Sequence, residues 1–231
     1  MLRIILVSPE GEYNVGFVAR LCANFSIREL FLVSPKCNLK EAERFAMKGI
    51  EILREAVVVD SLEDAIRDVS LKVATSSIAD IEGDPLRRSI RPWDLGKIYD
   101  GRKTALIFGR ESVGLTREEI RLADYLVFIP SNESYPVLNL SHAVSIILYE
   151  LFTYSMRGGE RIGLASGEAL SLIDKYIKEV VELVYRDGRD RKRALEATSR
   201  VIKRGFPDES EARTISRFFR KISLALKRSD V

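Results

Sequence analysis

The chain has 231 residues, 46% of them hydrophobic and 31% charged, enough for one sizeable domain and an appendage. No stretch approaches the ~20 uninterrupted apolar residues of a membrane span, and Cys22 and Cys37, without CxxC spacing, beside a lone His142 argue against a disulfide framework or structural zinc. The net charge of +3 is unevenly spread: residues 160–231 hold 17 Lys/Arg against 12 Asp/Glu, and the first 159 hold 20 against 22.

The basic excess of the C-terminal third points to an acidic partner such as nucleic acid, or to a solvated basic helix face. The N-terminal "MLRIILVSPEG" is too short in its apolar run for a signal peptide and reads as a first strand, so the expected compartment is the cytoplasm. Further β-rich runs follow: "LFLVS" (30–34), "AVVVD" (56–60), "LKVATS" (71–76), "TALIFG" (104–109) and "YLVFIP" (125–130), after "RIILV" (3–7). Several are apolar throughout, as in strands buried on both faces.

Helical patterns lie between them at 15–25, 40–53, 61–68 and 116–122, and a longer one runs from Leu138 to about Met156. Strand and helix in alternation predict an α/β fold, a parallel sheet with helices on both faces. "RGGE" (157–160) is the expected linker between a domain at 1–157 and a helical extension at 158–231. Three helices are expected there, at 167–187, 190–204 and 208–227. On the second, Arg189, Arg193 and Arg200 fall near one face, with Lys192 and Lys203 close by, as a basic stripe or as a surface laced with i,i+4 pairs.

A βαβ chain places its ligand beyond the carboxyl ends of its strands. The segments there collect Gly, Asn and Ser: "SPEGEYNVGFVAR", "TSSIADIEGDPLRR", "GRESVGLTREE" and "IPSNESYPVLNLS". No GxGxxG follows the first strand, and GxxxxGK[ST] and GxSxG are absent, which disfavours a dinucleotide site, a P-loop and a hydrolase triad. His142 reads as a buried or capping residue. Asn139 or Ser141 can cap the helix that starts at "NLS", and Asn14 reads equally as the N-cap of the first helix or as a substrate contact. Gly109 and Gly114 read as turn residues or as points of close approach. Arg110 and Glu111 read as a surface ion pair.

Taken in order, N-x-G-x3-R (Asn14, Gly16, Arg20), "ALIFGRESVGLTREE" and "IP…YPVLNLSHAVSIILYE" resemble the three motifs of the SpoU/TrmH branch of the SPOUT RNA 2′-O-methyltransferases. Within that branch the chain most resembles TrmJ-type tRNA enzymes, whose catalytic domain is followed by helices. The resemblance spans about residues 1–155. It implies a deep trefoil knot near the last strands, an S-adenosylmethionine site in the knotted loops, and a homodimer that completes the active site.

Carried over by position, the cofactor loops are Thr75, Ser76 and Ser77; Gly109, Glu111 and Gly114; Ile129; and Pro136, Val137, Leu138 and Asn139. Glu111 is expected to support the loops around Asn14 or Arg20. The catalytic candidates are Arg20, Asn14 and Ser141, the last preferred because some relatives carry a serine where this chain has Val137. Arg20, with Arg191, Lys192 and Arg193 of the tail, is the expected RNA contact. The implied reaction is 2′-O-methylation of tRNA, at nucleotide 32 of the anticodon loop; an rRNA enzyme and an inactive RNA-binding protein are the alternatives. No metal and no membrane partner are expected.

Overall fold

The computed structural model describes residues 1–158, 163 and 165–229. Six strands form one parallel sheet: β1 (Leu2–Val7), β2 (Glu29–Val33), β3 (Val57–Val59), β4 (Leu71–Thr75), β5 (Thr104–Phe108) and β6 (Tyr125–Val127), in spatial order β3-β2-β1-β5-β4-β6. Each lies within the run expected for it, to a residue or two. The alternation of strand side chains divides the sheet into two cores. Ile4, Leu6, Val73, Leu106 and Phe108 point to one face, and Ile5, Val7, Ala74, Ala105 and Ile107 to the other.

Against the first face pack α1 (Glu12–Asn24), α2 (Leu39–Ala46), α3 (Ile50–Arg54), α5 (Pro92–Ile98) and α7 (Leu140–Met156). The second is covered by α4 (Leu62–Ile66) and α6 (Arg117–Arg121). Helix α5 was not expected. "RPWDLGKI" nevertheless carries its signature, with Pro92 and acidic Asp94 in the first turn.

Strand β6 has neighbours on both edges. On one side it pairs with β4; on the other Ile90 forms a parallel bridge to Val127, donating to the Leu126 carbonyl at 2.8 Å and accepting from Phe128 at 3.1 Å. The segment between β4 and Ile90 therefore straddles the carboxyl end of β6.

Helix α7 ends at Met156 with Arg157 as its C-cap, followed by Gly158 at φ +62°. The rest of the expected linker, Gly159 and Glu160, lies outside the described residues. Three helices follow, α8 (Gly167–Val184), α9 (Gly188–Arg204) and α10 (Glu209–Ser229), with a core of their own that includes Leu170, Ile173, Ile177 and Ala212.

The three helices also dock on the sheet domain. Tyr125 donates to the Lys203 carbonyl at 2.8 Å and stacks on Phe206, and Lys203 reaches Asp124 at 3.1 Å and Asp174 at 2.8 Å. This corrects the expected basic stripe. Arg200 and Lys203 are buried against the sheet domain, and only the amino-terminal part of α9 leaves its cations, Arg189, Lys192 and Arg193, exposed. A helical wheel groups side chains by angle; it does not say which stretch of the face another domain covers.

Candidate active site

Beyond the carboxyl ends of β4, β5 and β6 lies a cavity of about 390 Å³. Its walls come from three loops: Thr75–Ile78, Phe108–Gly114 and Ile129 with Pro136–Leu138. Every residue carried over for the cofactor lines it except Asn139. Phe108, Val127, Leu138 and Leu140 make much of the surface apolar, and the loops between them offer peptide edges, a combination suited to a flat heterocycle with polar rims.

The glycines are required by the chain's own geometry. A Cβ on Gly109 would sit 2.3 Å from the Gly114 carbonyl carbon and the Leu115 nitrogen, so the loop closes on itself only because Gly109 has none. Gly114 has φ +69°, a conformation that costs other residues energy. Its amide donates to the Arg110 carbonyl at 2.9 Å, which closes the turn.

A chain of hydrogen bonds joins the three sequence motifs. Glu111 accepts from the amides of Glu10 at 2.9 Å and Gly11 at 3.1 Å, and from Asn14 Nδ2 at 2.8 Å. Asn14 Oδ1 accepts from Asn139 Nδ2 at 2.9 Å. Asn139 Oδ1 in turn accepts from the Ser141 amide at 2.9 Å, the Ser141 hydroxyl at 2.7 Å and the His142 amide at 3.4 Å. Asn139 is thus the N-cap of α7, as expected, and the same side chain ties α7 to α1. Glu111 performs the expected support of the Asn14 region.

Three expectations are corrected here. Asn14 is not the N-cap of α1: the helix starts at Glu12 with Gly11 as cap, and Asn14 is fully buried within its first turn. Arg110 and Glu111 are not an ion pair. Arg110 bonds Glu119 at 3.0 Å through both terminal nitrogens, while Glu111 turns toward α1. His142 is exposed rather than buried, and only its backbone joins the cap.

Arg20 stands apart from this assembly. It is exposed on α1, on the side that also shows Tyr13 and Phe17, does not line the cavity, and bonds no described residue. Ser141 is buried with its hydroxyl directed at Asn139. Sequence reasoning missed Ile78, Val113 and Ala143, which line the cavity as well, and the clasp in which Glu10 accepts from the Ser112 amide at 3.1 Å and hydroxyl at 2.7 Å. The position of Glu10 immediately after the first strand was the available signal. Cys22, on the buried face of α1, is no candidate nucleophile: burial pushes its thiol up to about 12.

The sequence profile of the SpoU rRNA Methylase family matches residues 1–149. Over 230 residues the chain is 48% identical to the tRNA (cytidine-2'-O-)-methyltransferase TrmJ of Sulfolobus acidocaldarius, covering 99% of this chain and 96% of that one. It is 34% identical to the TrmJ of Methanocaldococcus jannaschii, covering 95% and 99%. The crystal structure of TrmJ from Z. mobilis superposes with a TM-score of 0.68 at 22% identity, covering 96% and 99%, and so shares the fold. The chain belongs to the SpoU rRNA methylase family.

Proposed function

We propose that this protein transfers a methyl group from S-adenosylmethionine to a ribose 2′-hydroxyl of tRNA, at nucleotide 32 of the anticodon loop. The observation that carries the reading is the Glu111–Asn14–Asn139–Ser141 chain, which joins all three motifs beside a cavity of adenosine-compatible lining. The full-length likeness to two archaeal tRNA enzymes favours tRNA over rRNA. Bound in the cavity, the cofactor would supply a methyl group already activated on a sulfonium. Val127, Ile129 and Leu138 would cover the adenine faces, and the peptide edges of residues 109–114 and 136–138 would meet its polar rim.

What this chain must do is align the hydroxyl and accommodate its proton. Arg20 is suited to clamp an RNA phosphate and stabilise the developing alkoxide. A guanidinium that stays protonated is a poor base, so water or a neighbouring group takes the proton. Asn14 and Ser141 are positioning residues in this scheme, because their polar atoms are spent on one another's loops.

Arg20 reaches a cofactor cavity only when a second copy supplies it. Tyr13, Phe17 and Phe45 form an edge-to-face series on α1 and α2, with ring centroids 6.5 and 5.8 Å apart, and Phe25 meets Phe152 of α7 at 5.7 Å. Tyr13, Phe17, Tyr149, Phe152 and Met156 are all exposed. An apolar surface of this kind around Arg20 supports a homodimer built on α1 and α7. The straddling of β6 by residues 76–90 supports the trefoil knot. Residues 158–231 are proposed as a tRNA-gripping extension through exposed Lys192 and Arg193, with Arg191 held by its bond to the Tyr185 carbonyl at 2.6 Å.

Incubation with methyl-labelled cofactor and total tRNA tests the reading. Label should enter tRNA; label in rRNA alone, or none from a folded protein that binds RNA, rejects it.

A further inference from the structure

A second cavity, of about 510 Å³, lies where α8 and α9 dock on the sheet domain, with Leu86, Ala123 and Leu195 among its walls. On α9 it takes one helical face, Lys192, Leu195, Glu196, Ser199, Arg200 and Lys203; on α8 it takes Ser171, Asp174, Lys175 and Lys178. The carboxylates in this lining are already engaged. Glu196 is bonded to Arg121, Asp174 to Ser199 and Lys203, and Asp124 to Lys203 and to the Lys72 amide at 2.9 Å.

Two buried cations of α9 face this cavity with opposite charge balance. Lys203, 8% exposed, has two carboxylates, which hold its ammonium above the ordinary lysine pKa although burial works against the charge. Arg200, 7% exposed, has no carboxylate within ion-pair distance among the described residues. Among the described residues its side chain has one acceptor, the Ile120 carbonyl, at 2.9 Å from Nη2. Burial lowers its pKa and outweighs the opposing pull of Glu196, Asp124 and Asp84, none of which bonds it.

A guanidinium has five N–H donors, and a buried one without a carboxylate is costly unless an anion completes it. None of its nitrogens is both sealed from solvent and unbonded, so the unused donors keep access to solvent, and Arg200 is part of the cavity wall. Lys175, Lys178 and Lys192 are exposed at the same cavity; Lys178 lies 3.9 Å from Glu182, an exposed pair that contributes little. Through Lys192 the cavity continues onto the exposed basic amino-terminal part of α9, with Arg189 and Arg193.

We infer that this interdomain cavity is a phosphate site, in which Arg200 at the base and Lys175, Lys178 and Lys192 at the mouth hold a backbone phosphate of the bound RNA. The inference rests on the RNA-methylation reading for its choice of phosphate source. The continuity with the basic surface favours a polyanion over a small free phosphate. The tail then holds RNA against the sheet domain at the seam between them, rather than by its outer surface alone.

The test uses the full-length protein. A Lys175→Ala/Lys178→Ala/Lys192→Ala variant changes only exposed residues and should fold. Its tRNA affinity should fall about tenfold at moderate salt, and the slope of log K against log salt should become shallower by about 0.9 for each phosphate the variant no longer neutralises. Arg200→Gln should reproduce the weaker binding, while both variants retain wild-type S-adenosylmethionine affinity by calorimetry.

The comparison variant, Arg217→Ala/Arg220→Ala/Lys221→Ala on α10, removes as many exposed cations outside the cavity and should cost clearly less. Equal effects in the two triple variants would reduce the result to general charge and overturn the site. Unchanged tRNA affinity in the cavity triple would overturn it as well, even if Arg200→Gln fails to fold. Thermal stabilisation of wild-type protein by inorganic phosphate or AMP, abolished in the cavity triple while tRNA affinity is kept, would replace RNA by a free phosphate ligand. Methyl transfer is read separately on the wild type. A protein that methylates tRNA but shows no cavity effect loses only the site, and one that binds tRNA through the cavity but transfers no methyl group loses only the methylation reading.

Discussion

The loops at the carboxyl edge of the sheet and the seam beneath the tail both bury polar side chains, but they satisfy them differently. At the sheet edge Glu111, Asn14, Asn139 and Ser141 satisfy one another, and the result is a rigid frame around a preformed cavity. At the seam Lys203 is equally complete, while Arg200 keeps unused donors. Arg20, on the exposed face of α1, bonds no described residue. Groups whose bonds close within the protein build the scaffold, and the cations left incomplete are the ones proposed here to meet phosphate.

The largest effect that could break this contrast belongs to Arg20. Arg20→Ala should lower turnover about a hundredfold or more, the scale of removing an electrostatic interaction with developing charge. Cofactor affinity should stay near wild type, because Arg20 does not line the cavity. An equal drop in cofactor binding by calorimetry would place it in the scaffold instead.

Next comes Lys203→Met, which takes from Asp124, a carboxylate 10% exposed, the nearer of its two ammonium partners and leaves it only Lys72 at 3.7 Å. Removing one member of a buried pair should cost about 3 kcal/mol, read as a lowered denaturation midpoint. The sign with pH follows from the raised pKa: the stabilisation is complete below the unfolded lysine's value and is lost only as pH rises through the higher folded value. The wild-type advantage over the variant should therefore be constant near neutrality and shrink in strong alkali.

Gly109→Val should cost about 2 kcal/mol by forcing apart a tightly packed loop, and cofactor affinity should fall with it, since residues 108–114 are a cavity wall. Normal affinity would detach the glycine from the site.

Asn14→Ala is the smallest change. It leaves Glu111 Oε1 with the Gly11 amide alone and Asn139 Nδ2 without its acceptor, a destabilisation of about 1–2 kcal/mol. Asn14→Asp, which keeps the acceptor for Asn139 but sets a carboxylate against Glu111, should be worse than the alanine. The reverse order in thermal denaturation would show that Asn14 contributes by shape rather than by its bonds.

The strands were legible because apolar, β-branched runs such as "RIILV" and "TALIFG" have few other uses in a chain of alternating elements. The cap at Asn139 was legible because its bonds are local. The second bond of the same side chain, to a residue 125 positions away, has no local signature, and so Asn14 read as a helix cap or a substrate contact. Helix α5 lay in a stretch to which no element was assigned, although Pro92 and Asp94 mark its start. The burial of Arg200 and Lys203 escaped for a different reason. A cation buried at a domain seam has the same sequence pattern as one facing water.

The central claim is transfer to a ribose hydroxyl of tRNA, and mass spectrometry of nuclease-digested tRNA after reaction with the purified protein tests it most directly. The account predicts a single added methyl group on the ribose of nucleotide 32, absent when Arg20→Ala replaces the wild type. A methyl group on a base, or unmodified tRNA from a protein that binds both tRNA and S-adenosylmethionine, would contradict it.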